Sequence, residues 1–177
     1  MTTLEALRAL APAGDRRNAT RTIAAALRRA LVVGPDNTAV VCGDESTTYR
    51  ELAGRIRRLI GALADLGLQR GDRVAVLGAN CHRYVELYLA LPMAGYVTVP
   101  LNVRHSDTER RYALADSDAK VLFTDREVGG IDGLDLRTVD LATDYEPMLA
   151  AAAEQTWPDD VAETDLAGIF YTGGTTG

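Results

Sequence analysis

Tyr171-Thr172-Gly173-Gly174-Thr175-Thr176-Gly177 follows the apolar run Ala167-Gly168-Ile169-Phe170, so a strand is predicted to run straight into a loop of glycine and threonine. Glycine lets the backbone take a positive φ and approach a ligand closely. Successive N–H groups in such a loop can form an anion-binding nest, and the threonine hydroxyls add donors at the same place. Taken alone, the commoner reading of a Gly/Thr loop is a polar turn, with phosphate binding as the alternative. The chain before it bears on that choice.

Working back from the loop, short apolar strands alternate with helices. Lys120–Thr124, Tyr96–Leu101 and Arg73–Leu77 read as strands. Ser106-Asp107-Thr108-Glu109 and Thr48-Tyr49-Arg50-Glu51 have capping-box form and open helices. The second of these carries Leu52, Ile56, Leu59, Ile60 and Leu63 on one side and ends near Gly67. A helix over about Cys81 to Gly95 is expected, with Asn80 as its N-cap and Pro92 disturbing its last turn. Its apolar face is read as Val85, Tyr88, Leu89 and Pro92, flanked by Tyr84, Leu87, Leu91 and Ala94. Thr38–Cys42 and Ser46–Tyr49 form a hairpin across Gly43-Asp44-Glu45. A helix from Thr20 presents the stripe Ile23, Ala26, Leu27, Ala30 and Leu31, with arginines opposite. Leu4, Leu7 and Leu10 make a short amphipathic piece before Pro12 and Gly14. Toward the loop, a strand at Leu136–Leu141 and a helix at Glu146–Glu154 precede a polar, acidic surface connection over Gln155–Thr164.

This order predicts an α/β fold, a mostly parallel sheet with helices on both faces. Residues 1–36 are a helical arm and 37–177 an α/β subdomain that ends in the Gly/Thr loop. Ligands of such sheets sit beyond the carboxyl ends of the strands, where this loop is expected. That context strengthens the phosphate reading.

Composition narrows the function. A hydrophobic fraction of 47% with 25% charged residues supports a packed core. A net charge of -6 argues against nonspecific nucleic-acid binding. No run approaches a membrane span, and Met1-Thr2-Thr3-Leu4-Glu5 lacks the pattern of a secretory signal. Cys42 and Cys81 are isolated, without metal-ligand spacing to His82 or His105, and fit free thiols in the cytoplasm. Neither a metal site nor a catalytic residue is assigned. The Walker A pattern fails, because Gly173 to Gly177 has the wrong spacing and Lys120 is the chain's only lysine. A Gly-x-Gly-x-x-Gly fingerprint is missing as well.

Tyr171–Gly177 does resemble the phosphate loop of the adenylate-forming (ANL) superfamily, Y-T-[SG]-G-[ST]-T-G-x-P-K-G, through its third glycine. Further blocks resemble the same family in the same order. They are Thr48-Tyr49-Arg50-Glu51-Leu52, Gly67–Val76, Ala90–Asn102 with Val99-Pro100-Leu101-Asn102, Asp116–Leu122 and Asp165-Leu166-Ala167. Gly173 stands where many members have serine. That substitution removes one hydroxyl donor and keeps the backbone donors.

The resemblance implies the first part of the large N-terminal domain of an acyl-CoA synthetase, of the kind that ligates long- or medium-chain fatty acids to CoA. Such an enzyme joins a carboxylic acid to ATP, releasing pyrophosphate, and passes the acyl group to coenzyme A with Mg2+ assisting. By motif matching, Thr172, Gly173, Gly174, Thr175, Thr176 and Gly177 would hold the β- and γ-phosphates. The alternatives are a piece of an amino-acid or aryl-acid adenylation domain, or a non-catalytic binding module. The family's later lysines, nucleoside contacts and acyl pocket have no counterpart in these residues. The 177-residue chain is therefore expected to be inactive alone, to bind none of these cofactors by itself, and to self-associate through apolar surface left bare.

Overall fold

The computed structural model describes residues 22–171. In chain order the elements are α1 (Ile23–Val33), β1 (Thr38–Cys42), β2 (Glu45–Thr48), α2 (Tyr49–Asp65), β3 (Arg73–Leu77), α3 (His82–Met93), β4 (Val97–Pro100), α4 (Asp107–Asp116), β5 (Ala119–Thr124), β6 (Arg137–Asp140) and α5 (Tyr145–Ala151). β1 and β2 form the expected antiparallel hairpin. The other four strands form one parallel sheet in the order β4-β3-β5-β6.

Two-residue periodicity sorts the strand side chains onto two faces. Val74, Val76, Val121, Phe123 and Val139 point into a core shared with α1, α2, α3 and α5. Ala75, Leu77, Val99 and Leu122 face Ala113 and Leu114 of α4 on the other side. Both faces are covered, which is why these strands read as unbroken apolar runs.

The right-handed crossover rule accounts for which element takes which face. The chain steps from β3 to β4 in one direction, then back over β3 to β5, and on to β6. α3 and α4 accordingly lie on opposite faces. The 125–136 connection shares the α4 side, where Val128, Ile131, Leu134 and Leu136 pack. The return from β6 reverses direction again, and Tyr145, Leu149 and Trp157 come back to the α3 side.

Both capping boxes form. Thr48 Oγ1 accepts from Glu51 N–H at 3.2 Å, and Glu51 accepts in return from Thr48 N–H at 2.8 Å. Ser106 and Glu109 repeat the exchange. Hydrogen bonds from the Thr48 backbone, then from its hydroxyl, lower the Glu51 pKa below its usual 4.5. A lowered carboxylate pKa adds stability above the unfolded value, and that stability is lost as pH falls through the folded one. Loss of the N-cap hydroxyl in Thr48→Ala is expected to cost about 1 kcal/mol at neutral pH. The cost should shrink below pH 4.5 as Glu51 protonates, as read by thermal unfolding across pH.

Several local expectations are corrected. The α1 stripe is rotated: Ala24 and Leu27 are buried with Leu31 beside them, while Ile23 is 37% exposed. Arg28 is not on a solvated face; it pairs with Asp159 at 2.5 Å and lies over the Trp157 ring. Cys81, not Asn80, is the N-cap of α3. Val85 is exposed and Glu86 is buried, because α3 turns Glu86, Leu87, Ala90, Leu91 and Met93 inward. The Gln155–Thr164 connection is anchored rather than merely superficial. Trp157 is buried, with the guanidinium groups of Arg28 and Arg57 each lying over its ring. Arg70 also binds both Asp160 and Asp165.

Candidate functional site

Thr172, Gly173, Gly174, Thr175, Thr176 and Gly177 lie outside the described residues. Their root is described. Thr98 N–H of β4 donates to Ala167 O at 3.0 Å, and Ile169 N–H donates to Thr98 O at 2.9 Å. Gly168 thus bridges Thr98 in parallel, carrying the chain along β4 toward the carboxyl ends of the strands. The expected buried strand at Ala167–Phe170 is a single bridge on the sheet edge, with Phe170 65% exposed. β4 lies on one side of it, and its outer backbone edge pairs with no strand among the described residues. Glycine eases the close approach at 168, since a Cβ there would press on Thr98 O at 3.0 Å and on the Phe170 ring at 2.9 Å.

Tyr171 is tied down on the α4 face. Its hydroxyl donates to Asp116 Oδ2 at 2.6 Å, and its ring meets Tyr112 edge-on at 6.3 Å. Burial, then the Asp116 carboxylate, pushes its pKa up to about 12. At neutral pH it is a protonated donor engaged by Asp116. Tyr171 therefore fixes the start of the glycine/threonine loop. Neither Asp116 nor Gly168 was singled out for such a role in the sequence, because the tether joins residues far apart in the chain.

The loops at the carboxyl ends are also cross-linked. Ala79 N–H, after β3, donates to Asp125 Oδ2 at 2.7 Å, after β5. Arg126 donates to the other oxygen at 2.7 Å and is the main reason the Asp125 pKa is lowered. After β3 the chain leaves to one face, and after β4 and β5 to the other. Open α/β sheets place ligands at such a reversal. Among the described residues no group of three His, Cys, Asp or Glu side chains could hold a metal ion.

A half-buried ionic node, with Glu86 and Tyr145 as its buried members, joins α2, α3 and α5. Arg55 donates to Glu86 at 2.6 and 3.2 Å and to Glu146 at 3.1 and 2.9 Å. Tyr145 hydroxyl donates to Glu86 Oε2 at 2.8 Å, and Arg83 to Glu146 at 3.1 Å. Burial works against the Arg55 charge, but the hydrogen bonds to Glu146 and Glu86 outweigh it and raise its pKa. Burial also opposes the Glu146 charge, and Arg55 and Arg83 reverse that effect to lower its pKa. Burial, then Glu86, holds the Tyr145 phenol well above its usual range. The available signal was one acid, Glu86, flanked by Val85 and Leu87 in an otherwise apolar helix.

The profile of a family described as AMP-binding enzyme matches residues 27–177. A feruloyl-CoA synthase from Amycolatopsis sp is 36% identical over 160 residues, covering 85% of this chain and 30% of that protein. A long-chain-fatty-acid–CoA ligase from Thermus thermophilus is 39% identical over 143 residues, covering 74% of this chain and 26% of that protein. The inhibitor-bound crystal structure of the N-terminal domain of FACL13 from Mycobacterium tuberculosis superposes with a TM-score of 0.81 at 28% identity. That match covers 88% of this chain and 42% of the other. The chain thus spans about a third or less of these two curated relatives.

Proposed function

This chain belongs to the family of AMP-binding enzymes, and from that premise we propose that it is the phosphate-loop part of a cytoplasmic, ATP-dependent acyl-CoA synthetase. The family match across residues 27–177, with CoA-ligating relatives at 36% and 39% identity, carries the reading. The edge segment that leads through Tyr171 supports it, since it runs toward the carboxyl ends of the strands.

A carboxylate oxygen of the acid bonds to the α-phosphorus of ATP as the bond to pyrophosphate breaks. A thiol sulfur of coenzyme A then bonds to the acyl carbon, and AMP leaves. Residues Thr172 to Gly177 offer backbone N–H and hydroxyl donors to the β- and γ-phosphate oxygens, a donor set suited to polyphosphate. Mg2+ would neutralise phosphate charge when bound. Tyr171, held by Asp116, positions the loop and is not itself a donor to the nucleotide.

The test is thioester formation from ATP, coenzyme A and an acid by the intact protein carrying this segment. The panel should include aryl acids and fatty acids, since the names of the relatives include both. A thioester with either class supports the proposal. Adenylate formation without any thioester would move the assignment to an adenylation domain.

The 177-residue chain alone is expected to be inactive and to self-associate. Phe170, Leu166 and Tyr112 are 65%, 59% and 63% exposed, and the outer backbone edge of Gly168–Phe170 is a template for strand pairing. Light scattering is expected to show a mass that rises with concentration, and Phe170→Asp to abolish the rise. A constant monomer mass for the unsubstituted chain would contradict this.

A further inference from the structure

The segment from Asp165 to Tyr171 is held at three places. Arg70 grips Asp165 at 2.5 Å at its start. In its middle, two backbone hydrogen bonds at 3.0 and 2.9 Å join it to Thr98 of β4. At its end the Tyr171 hydroxyl donates to Asp116 Oδ2 at 2.6 Å. A long ladder of bonds fixes the direction of a strand by itself, but this segment has a single bridge. Two bonds to one residue leave the direction of the chain beyond Ile169 unfixed, and the Phe170 side chain is exposed and anchors nothing. The direction is therefore set by what Tyr171 touches. Its ring packs on the α4 side and meets Tyr112 edge-on. An apolar contact lets a ring slide, whereas a short hydrogen bond to a carboxylate fixes both its depth and its angle. Asp116 stands on firm ground, because its helix neighbours Ala113 and Leu114 are core residues. Among the described residues its carboxylate has no other hydrogen-bond or ion-pair partner, so it serves Tyr171 alone.

We propose that Asp116 is a positioning residue for adenylate formation, acting through Tyr171 on the donors that begin at Thr172. The proposal rests on the phosphate-loop reading above. The Asp116–Tyr171 bond lies at the surface, where one such contact adds little to stability. Its loss should leave the fold intact and fall on the reaction instead. Donors aimed at developing phosphate charge lose most of their effect when displaced by about an ångström.

The test measures acid-dependent exchange of pyrophosphate into ATP by the intact protein carrying residues 1–177, over a range of ATP concentrations. Asp116→Ala and Tyr171→Phe are each expected to lower kcat about tenfold, with KM for ATP changed less than about twofold. The double substitution should again cost about tenfold, not a hundredfold, because both changes break the same bond. Asp116→Asn keeps an acceptor oxygen and should recover part of the loss. Melting temperatures of all four variants should stay within about 2 °C of the unsubstituted protein. Unchanged kcat in Asp116→Ala would overturn the proposal while leaving the synthetase reading in place. So would multiplying losses in the double variant, or a kcat loss that tracks a fall in melting temperature, since either would make Asp116 a purely structural residue. Absence of acid-dependent exchange in the unsubstituted protein would remove both readings together.

Discussion

Glu86→Ala is expected to lower the unfolding free energy of this chain by about 1–3 kcal/mol, measured by urea denaturation. Glu86 is 2% exposed and accepts from two groups at once, Arg55 and the Tyr145 hydroxyl. Alanine removes both acceptor oxygens. Among the described residues Arg55 then keeps Glu146, and the fully buried Tyr145 hydroxyl loses its acceptor. The cost comes chiefly from buried polar groups left without partners, not from the intrinsic worth of an ion pair. Glu86→Gln keeps the shape and one acceptor, so its cost should fall between that of alanine and zero. The placement of the node explains why the effect is global. It ties α2, α3 and α5 together on one face of the sheet. A loss under about 1 kcal/mol for alanine would mean that packing alone holds these helices.

The second large effect concerns catalysis. In the intact protein, Thr175→Ala and Thr176→Ala are each expected to lower the rate of acyl-adenylate formation by about 10²–10³-fold. The argument is one of charge. Negative charge spreads over phosphate oxygens as pyrophosphate departs, and a hydroxyl already aimed at one of them stabilises it without reorganising solvent. The loss should therefore fall mainly on kcat, with KM for ATP changed less. Thr172→Ala provides a comparison at the loop's entry. If both Thr175 and Thr176 substitutions cost less than about threefold, the loop does not hold phosphate during the reaction.

The sequence made the layered α/β order legible because strand alternation and both capping boxes are local properties. Thr48–Glu51 and Ser106–Glu109 are spelled out within four residues, and the structure forms both. What stayed hidden depends on partners distant in the chain. Glu86 reads as an acid on an apolar helix until Arg55 and Tyr145 are brought to it. Trp157 reads as part of a surface connection until Arg28 and Arg57 close over it. The register of α1 was misjudged because its alanines fit either face, and the packing of Ala24 and Leu27 against the core decides the rotation. At the candidate site, the glycine/threonine motif was legible as a run of residue types. The tether of its root was not, since Asp116 and Tyr171 are 55 positions apart.

The most direct test of the central claim is exchange of labelled pyrophosphate into ATP by the intact protein carrying residues 1–177, with and without a carboxylic acid. Exchange that depends on the acid and needs no coenzyme A is the expected result, because adenylate formation is reversible before the thiol enters. The 177-residue chain run in parallel should give none. Acid-independent exchange, or no exchange with any acid across fatty and aryl classes, would contradict assignment of this segment to an adenylate-forming synthetase.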